Sequence, residues 1–114
     1  MLKSQQRLRN NKDFIRVFKQ GKRHSFGGVL LSYKSNDLDY TRVGFVISKK
    51  YSPLAVRRNR QRRLLQSALH SIYPQLKPGF DVVVSYTNRN KVLLYKDALD
   101  VLNELFTKVN LIDN

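Results

Sequence analysis

The chain has 114 residues, enough for one domain with a modest single core. Its 22 Lys and Arg against 8 Asp and Glu give a formal net charge of +14 and a pI near 10.5, a self-repulsion that calls for a polyanionic partner, nucleic acid or an anionic membrane. The absence of cysteine excludes disulfides and thiolate metal sites; with no apolar run near the roughly 20 residues of a membrane span and no apolar core behind the N-terminal charges, a cytoplasmic protein without a membrane partner is expected.

The first helix is predicted over residues 12–20, with Asn11 as N-cap, Asp13 in the first turn and Gly21 at the stop. Phe14, Val17 and Phe18 share one face of it. A strand follows within residues 26–34, where Val29, Leu31 and Tyr33 alternate with Leu30 and Ser32. The polar stretch 35–39 reads as a turn that pairs this strand, as a hairpin, with a second over residues 42–48 carrying Val43, Phe45 and Ile47 on one face. The second helix starts near Ser52 as N-cap and Pro53 as first residue, and runs to about residue 73 before Pro74. Its apolar stripe is Leu54, Leu65, Ala68, Leu69 and Ile72. A third strand covers residues 80–86, with Phe80, Val82, Val84 and Tyr86 on one face and Val83 on the other. The last helix, residues 96–109, buries Ala98, Leu99, Leu102, Leu105, Phe106 and Val109, and Glu104 is spaced to pair with Lys108. The order α-β-β-α-β-α predicts a small two-layer α+β sandwich.

Charge placement is more informative than its total. Residues 40–77 contain no acid, yet Arg57, Arg58, Arg60, Arg62 and Arg63 crowd into about two turns of the second helix. They occupy its N-terminal half, where the helix dipole disfavours cations. A bound phosphate would reverse both penalties, and the planar guanidinium fork suits phosphate oxygens. By helical angle Arg60, Arg63 and Asn59 point away from the core, with Arg62 at the border, while Lys49 and Lys50 close the preceding strand within reach of the same partner. No catalytic constellation is visible: His24 and His70 fall on separate elements, and Asp97, Asp100 and Glu104 read as a solvated helix face.

The run 48–64 resembles the arginine–asparagine–arginine signature of the bacterial ribonuclease P protein family. The matching residues are Lys49, Lys50, Ala55, Arg58, Asn59, Arg60, Arg62 and Arg63, with Arg42-Val43-Gly44 opening the strand before them and two helical aromatics, Phe14 and Phe18, upstream. The resemblance spans nearly the whole chain. It implies a fold like the second domain of ribosomal protein S5, with a left-handed βαβ crossover through the signature helix, where general chain handedness would favour a right-handed one.

It further implies the protein subunit of an endoribonuclease that removes the 5′ leader of precursor tRNA. The catalytic RNA would carry the chemistry with Mg²⁺, so no catalytic residue, metal site or cofactor is expected in this chain. One monomeric protein per ribonuclease P RNA is expected. Lys49, Lys50, Arg57, Arg58, Asn59, Arg60, Arg62 and Arg63 would bind that RNA. Arg7, Arg9, Phe14, Phe18 and Tyr33 would line a cleft for the single-stranded leader of precursor tRNA. From spacing alone Phe14 and Phe18 read as core residues, Tyr33 as an ordinary sheet residue and Asn59 as a local hydrogen-bonding group. The chain departs from the family pattern at Gln66, where another basic residue is common, and at Tyr33, where the aromatic is shifted along the strand. Composition alone also admits another RNA-binding protein, such as a ribosomal protein or an RNA chaperone.

Overall fold

A computed structural model of the chain describes residues 2–89 and 91–112. The elements run α1 (Asn11–Gln20), β1 (Lys22–Phe26), β2 (Val29–Ser35), β3 (Arg42–Ile47), α2 (Ala55–Ile72), β4 (Phe80–Tyr86) and α3 (Tyr95–Lys108). Every predicted element is present, and β4 has the predicted bounds. The additional strand, β1, has a charged sequence without apolar alternation, as suits a sheet edge. It turns into β2 through Gly27 and Gly28, both with positive φ (60° and 84°), the backbone of a two-residue hairpin turn that glycine adopts without strain.

The sheet order is β1-β2-β4-β3. The predicted hairpin between the second and third of these strands does not form, because β4 lies between them, antiparallel to β2 and parallel to β3. β4 is buried on both faces, as its Val82-Val83-Val84 run demands, and as an inner strand it has a neighbour on each side to pair its backbone N–H and C=O groups. β3, α2 and β4 thus form the βαβ unit in which the family resemblance implies the left-handed crossover.

One face of the sheet packs against α2 and α3 to give the main core: Val29, Leu31, Val82, Val84 and Tyr86 meet Leu65, Leu69, Leu102 and Phe106. α1 crosses the other face over a smaller cluster of Leu8, Val17 and Val83, flanked by Phe14, Phe18 and Val46.

Several local expectations are corrected. Asn10, not Asn11, caps α1, its Oδ1 accepting from Lys12 N at 2.9 Å. Ser52 and Pro53 precede α2 rather than open it: Ser52 Oγ holds a turn through Leu54 N, and Leu54 is exposed instead of joining the stripe. Gln61 is buried in that stripe in its place. On α3 the buried set includes Val101, while Leu99 and Val109 are only half-buried. Glu104 and Lys108 form no ion pair.

Candidate nucleic-acid interface

The N-terminal segment reaches the open edge of the sheet. Arg7 bridges Val43 of β3, and Leu8 N donates to Val43 O at 3.0 Å. This places Arg7 and Arg9 at the mouth of a groove of about 210 Å³, which Phe14 enters from α1, Val43, Gly44 and Phe45 from β3, and Arg62 and Gln66 from α2. Phe18 stands behind Phe14, ring centroids 6.5 Å apart and tilted by 41°. Both aromatics are half-buried, packed on the small cluster on one side and open on the other.

Gly44 makes this arrangement possible. A methyl group there would lie 2.8 Å from Phe14 Cε1 and 3.1 Å from Leu8 O, so the ring rests on bare backbone. Gly44→Ala is expected to lower stability in urea unfolding by about 1–3 kcal/mol through overpacking. Phe14→Leu in the same chain is expected to recover part of that loss; strict additivity of the two substitutions would rule out the contact as the cause.

A polar network fixes α1 over the sheet. Asp81, 2% exposed, accepts from Arg42 Nε at 2.8 Å, from Arg42 Nη2 at 2.7 Å and from Asn36 Nδ2 at 3.0 Å. Arg42 Nη1 reaches Asp13 of α1 at 3.5 Å, and Asp13 also pairs with Arg16 at 3.3 Å. The bond to Asp81 outweighs burial and raises the Arg42 pKa above its already high ordinary value. These ion pairs gather at Asp13 and Asp81, and among the described residues the arginines of α2 join none of them.

α2 displays its cations on three sides. Arg62 turns toward the groove of Phe14 and takes Asn59 Oδ1 as acceptor at 2.6 Å, so Asn59 does make a local bond. Arg57 and Arg60 face the opposite flank. Arg63 is exposed between them, and Arg57, Arg60 and Arg63 have no hydrogen bond or ion pair among the described residues. Arg58 differs: its Nη1 donates to Ser52 O at 3.0 Å and Pro53 O at 2.8 Å, holding the turn that leads into the helix. No side chain caps the start of α2, and its first turn holds no acid.

Lys49 and Lys50 lie beyond the end of β3, in a hollow of about 270 Å³ shared with Tyr51, Pro53 and Arg89. Arg89 was not among the predicted site residues. It follows β4, and the parallel pairing of β3 and β4 brings both strand ends to the same edge; a sequence read as a hairpin hides that neighbourhood. Gln66, a missing cation by the family pattern, lines the groove beside Arg62.

Tyr33 is separated from the other proposed cleft residues. It pairs with Val82 and packs on the α2/α3 side of the sheet, whereas Phe14 and Phe18 lie on the α1 side. The strand alternation of β2 decides this, since Leu31 and Tyr33 point one way and Ser32 the other. Among the described residues no group of three His, Asp or Glu side chains is gathered as a metal site, and His24 and His70 sit on β1 and α2. No helix among them is long and apolar enough to cross a membrane.

Known proteins resemble this chain in sequence and in fold. The family model described as Ribonuclease P matches residues 2–110. The ribonuclease P protein component of a Pseudanabaena species is 37% identical over 98% of this chain and 97% of its own length. That of a Synechocystis species is 35% identical over 95% and 88%. The solved ribonuclease P protein of Thermotoga maritima superposes with a TM-score of 0.78 at 27% identity, covering 95% of this chain and 98% of its own. That of Staphylococcus aureus, at 21% identity, shares the fold with a TM-score of 0.82 over 95% of this chain and 98% of its own. The chain belongs to the ribonuclease P protein family, as a protein component of that endoribonuclease.

Proposed function

We propose that the chain binds ribonuclease P RNA through α2 and its flanks, and holds the 5′ leader of precursor tRNA in the groove at Phe14. The observation that carries this reading is the groove itself, where Arg7, Arg9 and Arg62 surround an accessible aromatic ring with no acid in the lining. Single-stranded RNA presents both things such a site can use: phosphates for the guanidinium groups and base faces for the ring. Stacking on an aromatic ring is tolerant of sequence, as a leader that varies from one tRNA to another requires. The unpaired cations Arg57, Arg60 and Arg63, with Lys49 and Lys50, would lie on the phosphates of the larger RNA. In this reading the chain positions substrate and RNA, Mg²⁺ serves the RNA-borne chemistry, and one protein serves one RNA. Tyr33 is left out of the leader site by its position on the other side of the sheet.

The test is processing of a precursor tRNA with a 5′ leader at low Mg²⁺, by the protein, by a bacterial ribonuclease P RNA, and by both together. Efficient cleavage at the mature 5′ end is expected only from the combination. Equal processing of long-leader and one-nucleotide-leader precursors, with no gain from the protein on either, would overturn the leader assignment.

A further inference from the structure

The flank of α2 that faces away from Phe14 carries a second groove. Gln61, 2% exposed, donates through Nε2 to Leu93 O and accepts through Oε1 from Leu93 N, both at 3.0 Å. Tyr86 Oη donates to Lys91 O at 2.7 Å. These three bonds tie the segment before α3 to the core, so Leu93 turns inward at 6% exposure while Val92 is held outward at 62%. Between Val92 and α2 lies a cleft of about 300 Å³, lined by Tyr51, Arg57, Arg60, Gln61, Leu64 and Val92. That is the lower end of the ligand-sized range of about 300–1,000 Å³. Tyr51, 3% exposed, closes its floor and is itself braced on Tyr86 with ring centroids 5.5 Å apart.

The chemistry of this lining is specific. Its walls are apolar, its rim carries two guanidinium groups without hydrogen-bond or ion-pair partners among the described residues, and residues 40–77 and 82–96 contain no acid. Gln61 has both ends of its amide committed to Leu93 and offers no base-reading edge. The complementary occupant is a flat, weakly polar body with negative charge on either side of it. An unpaired nucleotide has that form, and guanidinium planes and aliphatic walls hold a splayed base without reading its edge.

We propose that this groove receives one extruded nucleobase of ribonuclease P RNA, seated against Val92 and Leu64, with the flanking phosphates on Arg57 and Arg60. The assignment rests on the reading of α2 as the RNA-binding helix, and it adds a contact made by residues outside the basic signature. It also explains why an outward apolar residue is fixed so firmly: a preformed wall costs no ordering when the base enters.

The experiment compares the full-length chain with Val92→Ser and Arg63→Ala in binding to a ribonuclease P RNA transcript across a salt series. Val92 is exposed, so Val92→Ser is expected to keep the urea midpoint of the parent protein. It is expected to weaken binding by about three- to tenfold with the salt slope unchanged, because a stacking wall and no charge is lost. Arg63→Ala is expected to lower the slope by about one. With p-benzoylphenylalanine in place of Val92, near-ultraviolet light is expected to cross-link the protein to an unpaired nucleotide of the RNA. If Val92→Ser binds like the parent while Arg63→Ala is weakened, the groove proposal is overturned and the RNA-binding reading of α2 stands. If neither substitution changes binding, that reading fails as well. A cross-link to a second protein molecule instead of RNA would also overturn the proposal.

Discussion

Replacing Arg60 and Arg63 together by alanine is expected to weaken binding to ribonuclease P RNA by about two orders of magnitude near physiological salt, at roughly 1.5 kcal/mol for each lost charge-assisted contact. Both guanidinium groups are exposed and without hydrogen-bond or ion-pair partners among the described residues, so their removal leaves nothing unpaired in the protein. It also relieves like-charge crowding among the arginines of α2. The variant is therefore expected to be as stable as the parent chain, or slightly more so. Loss of affinity with gain of stability is the signature of residues placed for a partner and not for the fold. The slope of log K against log salt is expected to fall by about two, one for each phosphate contact. The measurement is filter binding or fluorescence anisotropy over a salt series, beside a urea titration. A variant that loses affinity and stability in parallel would show that these arginines act through the fold. Arg58→Ala is expected to differ from the pair: its bonds to Ser52 O and Pro53 O make part of its loss a loosening of the turn before α2.

Asp81→Ala is expected to destabilise the chain by about 3 kcal/mol and to lower Tm by about 10 °C. Asp81 is the buried acceptor for three donor groups, two on Arg42 and one on Asn36. Its removal strands the Arg42 guanidinium, whose side chain is 22% exposed, beside Asp13 alone at 3.5 Å. Asn36 would lose one of its two side-chain acceptors in the same step, keeping Tyr40 O, which loosens the loop that carries the chain from β2 past the end of β4 to β3. Asp13→Ala removes only the weaker pairs of α1 and is expected to cost less than about 1 kcal/mol. Replacing both members, Arg42→Met with Asp81→Leu, is expected to recover most of the loss, because the cost arises from an unpaired charge and not from absence of the pair. Thermal unfolding of the four proteins checks this. Equal destabilisation by Asp81→Ala and by the double variant would show that packing, and not the charge, sets the cost.

How far each feature could be read from the chain follows from the range of the interactions behind it. The helices and β4 were legible because apolar periodicity and stop signals act over a few residues: Phe14-Val17-Phe18, Leu65-Ala68-Leu69-Ile72 and Phe80 to Tyr86 each state their own face. The basic character of α2 was legible too, since an acid-free span of arginines needs no neighbour to be noticed. β1 was missed because its charged sequence has no alternation, although Gly27-Gly28 marked the turn. The start of α2 was misplaced because Ser52 and Pro53 suit a helix start but here form the preceding turn, tied by Arg58.

The sequence by itself thus determined that this is a small α+β protein with a large excess of cations concentrated on one helix, and, through its signature, which family it resembles. Only the tertiary structure decided where the candidate site residues meet. Placing β4 between β2 and β3 put Arg89 beside Lys49 and Lys50, the packing of α1 on one face of the sheet left Tyr33 on the other, and the fold set Gln61 against Leu93 across 32 residues of chain. Such pairings are fixed by burial of the β4 valines and by satisfaction of buried polar groups such as Asp81, conditions imposed by distant segments at once and written in no local pattern.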